Sequence, residues 1–303
     1  MAFSLALKQG RIGAHGVCAG LDIGADRIRL AVLRRQRGGL RLALLAEHVF
    51  DRPICDDGRI GDFELLATGC RQLLRRPASP VGPIALAIPA TTVALIRLTL
   101  PAASSELQRW AQVRAEVAAC LRQPPDEWAI DYRVLGPAPA SPADVQVLAA
   151  AAPAMLVEDR LALAESLGMA ACAVLVDGWR LAAFLRAPDP DAAVLHLDAA
   201  AAWLSLHAQH WHPLAWRPDG SPSAGLLTEL APLLRPAPRL LLSGDACGLD
   251  ALAAALRKYA GIPATVAALP PQILVEDHAA TAAGPRHLSA FHCAIALAAE
   301  GLT

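Results

Sequence analysis

Apolar and polar positions alternate with a period of two in three successive runs near the start of the chain. "HGVCAGLDIG" runs up to Gly24. "RIRLAVLRR" puts Ile28, Leu30 and Val32 on one face and Arg27 and Arg29 on the other. After Gly38 and Gly39, "LRLALLAEHVF" returns. The pattern predicts a three-strand hairpin meander. Asp62 is placed to cap a helix over "FELLATGCRQLLRR", in which Phe63, Leu66, Cys70, Leu73 and Leu74 share one stripe. The apolar run "PIALAIP" then reads as a strand.

The second half repeats this order. "AAVLHLDAA" runs up to Asp198, "AAWLSLHAQ" and "HWHPLAWRP" follow as strands, and "SAGLLTELAPLL" reads as a helix. "RLLLSGD" reads as a strand, and "CGLDALAAALRKYAG" as a helix stopped by Gly261. "ATVAAL" is a further strand and "LSAFHCAIALAAEG" a last helix. Asp22 and Asp198 each close the first strand of their half, the mark of a duplicated domain rather than a short tandem repeat. Between the halves, "TTVALIRLTLP", "EWAIDYRV" and "DVQVLAAAA" read as strands, with "PAPASP" as a loop. Ser105 and Gln108 offer a capping box for a helix whose stripe is Trp110, Val113, Val117 and Leu121. The predicted organisation is a first lobe over 15–90 and 154–189, an inserted α+β subdomain over 91–153, and a second lobe over 190–303. "PDPDA" forms the hinge.

Composition narrows the function classes. Hydrophobic residues make up 55% of the chain but aromatics only 4%, so alanine accounts for much of the apolar excess. No apolar stretch is long enough to span a bilayer, and "MAFSLALKQGR" lacks the shape of a signal peptide. The net charge of −1 argues against nucleic acid or anionic lipid as a partner. Seven scattered cysteines without a CxxC pair fit reduced thiols in a cytoplasm.

Two duplicated α/β lobes, each opening on an acid at a tight turn, resemble the two-lobed actin-like class, whose lobes are ribonuclease-H-like. Within it, "GLDIGADRIRLAVL", "ALAIPATTVALIRLTLP", "LRQPPDEWAIDYRVLG", "LAESLGMAACAVLVDGWRLAAFLR" and "LLLSGDACGLDAL" resemble, in that order, stretches of PilM-type type IV pilus assembly proteins. The resemblance runs from about Gly16 to the C-terminus. It implies a cytoplasmic actin-like scaffold beneath the inner membrane, which binds the short N-terminal tail of the bitopic membrane protein PilN and carries an ATP cleft between its lobes. Self-association is a further property left open.

By the same resemblance, Asp22, Gly24, Arg29, Asp198, Ser243 and Gly244 are the cofactor-binding candidates. Asp22 and Asp198 would hold magnesium through water, since that ion prefers an octahedral oxygen shell. On alternation, Arg29 faces away from the core. The chain departs from the family at four places. Ala25 and Asp26 replace hydroxyl residues, and Asp26 adds a charge that repels phosphate. Ala200 replaces a glycine, and Asp245 replaces the last glycine of a Ser-Gly-Gly turn, where it would crowd a nucleotide. Without the echo at Asp198, the opening stretch would read as a plain turn shaped by Asp22 and Gly24.

Other features have simpler readings. His207, His210 and His212 lack a Cys or carboxylate ligand set for zinc. Trp203, Trp211 and Trp216 belong to a core or line a peptide groove. Ser243 and Cys247 lack a GxSxG elbow. Arg34, Arg35 and Arg37 read as a solvated strand edge, and Arg75 and Arg76 as a helix C-terminus. The expected mechanism is peptide capture in a first-lobe groove beside the inserted subdomain, tuned by nucleotide. The rival is a small-molecule kinase or ATPase of the same superfold, with Asp131 and Asp177 as candidate bases. The third reading is the cytoplasmic part of a related secretion-system platform.

Overall fold

The computed structural model describes residues 4–6, 16–75, 81–198, 202–207, 210–214, 230, 232–234, 239–245, 248–276 and 288–302. Two sheets repeat one topology. In the first, the hairpins of β2 (Val17–Ile23), β3 (Arg27–Gln36) and β4 (Gly39–Val49) form the expected meander. β7 (Ile84–Ile88) and then β11 (Ala171–Val176) add parallel to β2 on its other side. In the second, β12 (Ala193–Leu197), β13 (Ala202–His207) and β14 (His210–Pro213) form the meander, and β15 (Leu240–Gly244) and β16 (Ala264–Val266) add parallel to β12. The orders β4-β3-β2-β7-β11 and β14-β13-β12-β15-β16 correspond strand for strand.

Helix α1 (Phe63–Leu74) starts at Asp62, whose carboxylate accepts the Leu65 N–H at 3.0 Å. It buries Leu66, Cys70 and Leu73 on the same face of the first sheet as Ile28, Leu30 and Val32. The polar side of β3 is also covered. Ala31 and Leu33 enter a second core with α4 (Asp177–Leu185) and α6 (His292–Glu300), into which the second sheet sends Val194 and Trp203. These two helices therefore lie between the sheets, tied by the Arg180–Glu300 ion pair at 2.8 Å.

The expected second lobe, 190–303, does not stay with the second sheet. β17 (Ile273–Val275) pairs parallel to β4, and α6 packs on β2, β3 and β7. The reason is local: α6 is buried from His292 to Ala299, so it needs cover all round. Gly20 on β2 supplies the contact, because a Cβ there would collide with Ala294 O and Ala298 N. α5 (Leu249–Ala260) packs instead against β15 and β16 and ends at Gly261 with φ +66°.

The inserted segment forms its own sheet, ordered β8 (Ala94–Pro101), β10 (Ser141–Pro153), β9 (Trp128–Ala138). The loop expected at "PAPASP" is mostly strand, since β9 runs to Ala138 and β10 begins at Ser141. The Ser105–Gln108 capping box forms at the start of α2 (Glu106–Leu121). Val113 and Val117 pack on Leu100, Val147 and Ala149. α3 (Ala154–Ser166) returns the chain to the first sheet. Most of the helix expected over 223–234, together with Arg76, Ala200, Trp216 and Cys247, lies outside the described residues, as do the side chains of His207, His210 and Trp211.

Candidate functional site: the cleft between the lobes

β2 and β12 hold equivalent places in the two sheets, so the ends of both meet at the interlobe cleft. Asp22 stands one residue before the end of β2, opposite Arg29 in the ladder, and Asp198 directly follows β12. Both line one cavity of about 440 Å³, together with Gly24, Asp177, His196 and Cys293. That volume lies in the range of small-molecule sites. Five aspartates reach its wall: Asp22, Asp56, Asp57, Asp177 and Asp198.

Burial pushes the Asp22 carboxyl up to about 6; Arg29 pulls against this shift and Asp198 adds to it. Burial likewise pushes Asp177 up to about 7, although its Oδ1 accepts the Ala90 N–H at 2.9 Å and the Gly178 N–H. Burial lowers the affinity of His196 for a proton and raises Cys293 well above the ordinary thiol. At neutral pH the cleft thus holds carboxyls near their midpoint and neutral histidine, an arrangement a divalent cation would stabilise in its ionised form.

Arg29 is 2% exposed and lies across the lobe boundary. Its Nε donates to Glu47 at 2.8 Å, one terminal nitrogen to Asp198 at 3.1 Å, and the other to Asp245. Desolvation works against its charge, yet Asp198, Asp22 and Asp245 together hold its pKa above the ordinary arginine value. Arg27 reinforces the bridge, 3.4 Å from Asp245. Alternation correctly takes Arg29 off the Ile28 face. What lies on its own face is the second lobe, not solvent. Asp245 turns onto these arginines, and Asp26 is held by Arg27 Nε at 2.8 Å, which keeps its carboxyl below the usual range.

Of the six candidate residues, Asp22, Gly24 and Asp198 line the cavity, and Arg29, Ser243 and Gly244 stand behind it. Gly24 N–H is spent on Arg27 O at 2.9 Å, closing the turn. Ser243 is fully buried, its hydroxyl 3.1 Å from His292 Nδ1 and 3.4 Å from His196 Nδ1. Gly244, at φ +114°, passes so close to Leu197 O that a Cβ would collide with it. Trp203 is core, stacked on His196 with ring centroids 5.1 Å apart. Asp131 lies away from the cleft, in a surface groove with Trp110 and Tyr132.

The cleft wall that periodicity missed is the hairpin of β5 (Cys55–Asp56) and β6 (Arg59–Ile60). Two-residue strands carry no readable alternation. Buried Arg160 pins the hairpin by donating to Gly58 O at 2.6 Å and Ala87 O at 3.1 Å. An arginine in line with the apolar stripe of Leu156, Val157, Leu163 and Ala164 on α3 was the signal available.

The sequence family described as type IV pilus assembly protein PilM matches residues 20–191. The chain belongs to that family. Among solved structures, the PilM–PilN type IV pilus biogenesis complex matches with TM-score 0.74 at 19% identity, covering 96% of this chain and 99% of that one. The ethanolamine utilization protein EutJ from Carboxydothermus hydrogenoformans matches with TM-score 0.50 at 12% identity, covering 93% and 89%. No curated protein matches significantly. These likenesses establish the actin-like fold, and the family match places the chain in type IV pilus assembly. Among the described residues, no helix is long and apolar enough to cross a membrane.

Proposed function

We propose that this PilM-family chain is a scaffold that captures the apolar N-terminal tail of a PilN-like inner-membrane protein. It would act at the cytoplasmic face and be held there by that partner. The groove lies between the β11 edge of the first lobe (15–90 and 154–189) and strand β9 of the inserted subdomain (91–153). The observation that carries this reading is that the β11 edge accepts an extended strand: β1 (Ser4–Ala6) pairs with it antiparallel and touches β9 and β10. Backbone pairing to such an edge supplies affinity, and the flanking side chains supply selectivity. The family match and the solved complex of a PilM with a PilN support the choice of partner. Titrating the chain with a PilN-type N-terminal peptide tests it. Saturable binding is expected, weakened at least tenfold by Val174→Pro, which removes a ladder donor on β11. Unchanged affinity in that variant would contradict the groove assignment.

For the cleft, the proposal is narrower. Asp22 and Asp198, with Asp177 beside them, are the residues that would hold a hydrated magnesium. The ion would supply charge neutralisation toward phosphate oxygens. Two of the donors expected for a nucleotide are engaged: Gly24 N–H closes its own turn, and Arg29 gives a hydrogen bond from each nitrogen to a carboxylate. Opening the Arg29–Asp245 contact would free an arginine nitrogen beside Asp198 for a nucleotide phosphate.

A further inference from the structure

We infer that residues 4–6 are a resident self-ligand of the partner groove, which the partner's tail must displace; this rests on the groove assignment above. Three observations converge. First, Ser4–Ala6 forms an antiparallel strand on the outer edge of β11, with Ser4 opposite Leu175 and Ala6 opposite Val174. Among the described residues this strand has no counterpart in the duplicated topology, because β16, the equivalent of β11 in the second sheet, ends its sheet. Second, the same three residues contact β9 and β10 of the inserted sheet. They therefore sit where the first lobe and the subdomain meet, not on a free rim. Third, the local sequence Ala2-Phe3-Ser4-Leu5-Ala6-Leu7 is apolar but for Ser4 and is followed by Lys8. This is the composition of an extended ligand for an apolar groove with a polar exit.

The pairing is built to be given up. The ladder is three residues long and its register shifts between Ser4 and Ala6. So short and irregular a strand offers few main-chain bonds, and its hold comes from tethering, which gives even a weak segment a high effective concentration. A longer extended tail can pair along all of Ala171–Val176 and outcompete it. The self-ligand also protects an edge that would otherwise pair with other chains. If the groove is open about one-tenth of the time, the partner's apparent affinity falls about tenfold.

The experiment compares the full chain with a variant lacking residues 2–6, and with Leu5→Pro, which disrupts the short strand without shortening the chain. Each is titrated with a PilN-type N-terminal peptide and, separately, with a synthetic peptide of residues 1–10. The inference predicts about tenfold tighter binding of the PilN-type peptide to both variants. It also predicts saturable binding of the 1–10 peptide to the deletion variant and competition between the two peptides. Equal affinities in all three proteins, with PilN-type binding intact, would overturn the self-ligand alone. Binding of the 1–10 peptide without any PilN-type binding would remove the groove's assignment to that partner and leave only an edge cap. No binding of the 1–10 peptide to the deletion variant would also overturn the inference. Unchanged far-ultraviolet dichroism shows that the variants fold.

Discussion

At the residue scale, Arg29 carries the most consequence. It joins Glu47 of its own sheet to Asp198 and Asp245 of the other lobe while almost wholly buried. Removing one partner of a buried ion pair strands the others without counter-charge. Arg29→Met should therefore lower stability by about 3–5 kcal/mol, read as the shift in a urea unfolding curve. Asp245→Gly should act differently. It frees one Arg29 nitrogen and restores the family's glycine, so Mg-ATP affinity measured by calorimetry should rise at least tenfold over the parent. The raised Asp22 and Asp177 carboxyls give a pH signature. Their folded pKa values, about 6 and about 7, exceed the ordinary carboxylate value. The folded state then binds more protons, and stability falls as pH rises from about 4 to about 7. Asp22→Asn should flatten that decline, contributing on the order of 3 kcal/mol near neutral pH relative to the parent's trend. An unchanged slope in unfolding free energy against pH would show that Asp22 ionises normally. The sequence pointed to Asp22 and Asp198 through the duplication and to Arg29 through the family resemblance. It did not show that Arg29 serves the opposite lobe, because alternation reports which face a residue leaves, not what covers the other. The surroundings of Ser243 were hidden for a related reason: a turn motif does not reveal that two histidines lie against its hydroxyl.

At the element scale, local signals were read well and non-local pairings were not. The caps at Asp62 and Ser105 form as their spacing predicts. Ser105→Ala should cost about 1 kcal/mol, measurable as loss of cooperativity or midpoint in thermal unfolding. β17 and the placement of α6 were hidden, because a three-residue strand has no period and a helix buried all round shows no stripe. Gly20 is the residue that decides where α6 sits. Gly20→Val drives a side chain into the α6 backbone. It should cost about 3 kcal/mol and increase amide exchange in His292–Glu300. Unaltered exchange there would mean that α6 docks by some other contact.

At the scale of the whole molecule, two equivalent sheets share a core built from α4 and α6, and a cross-lobe arginine bridge closes the cleft above it. A scaffold needs this rigidity. The proposed partner groove lies elsewhere, between the first sheet's edge and the inserted subdomain, and the first lobe connects it to the cleft. The duplication was legible because both halves open on three strand-like runs, the first of each ending at an aspartate. The strand Ser4–Ala6, on which the proposed groove rests, was not legible, since three residues are too short to show a period. The measurement that bears most directly on this account is hydrogen exchange of the full chain with and without a PilN-type N-terminal peptide. The account predicts added protection in Ala171–Val176 and Trp128–Ala138, with faster exchange in residues 4–6. Protection confined to the turns around Asp22 and Asp198, with β11 unchanged, would contradict it.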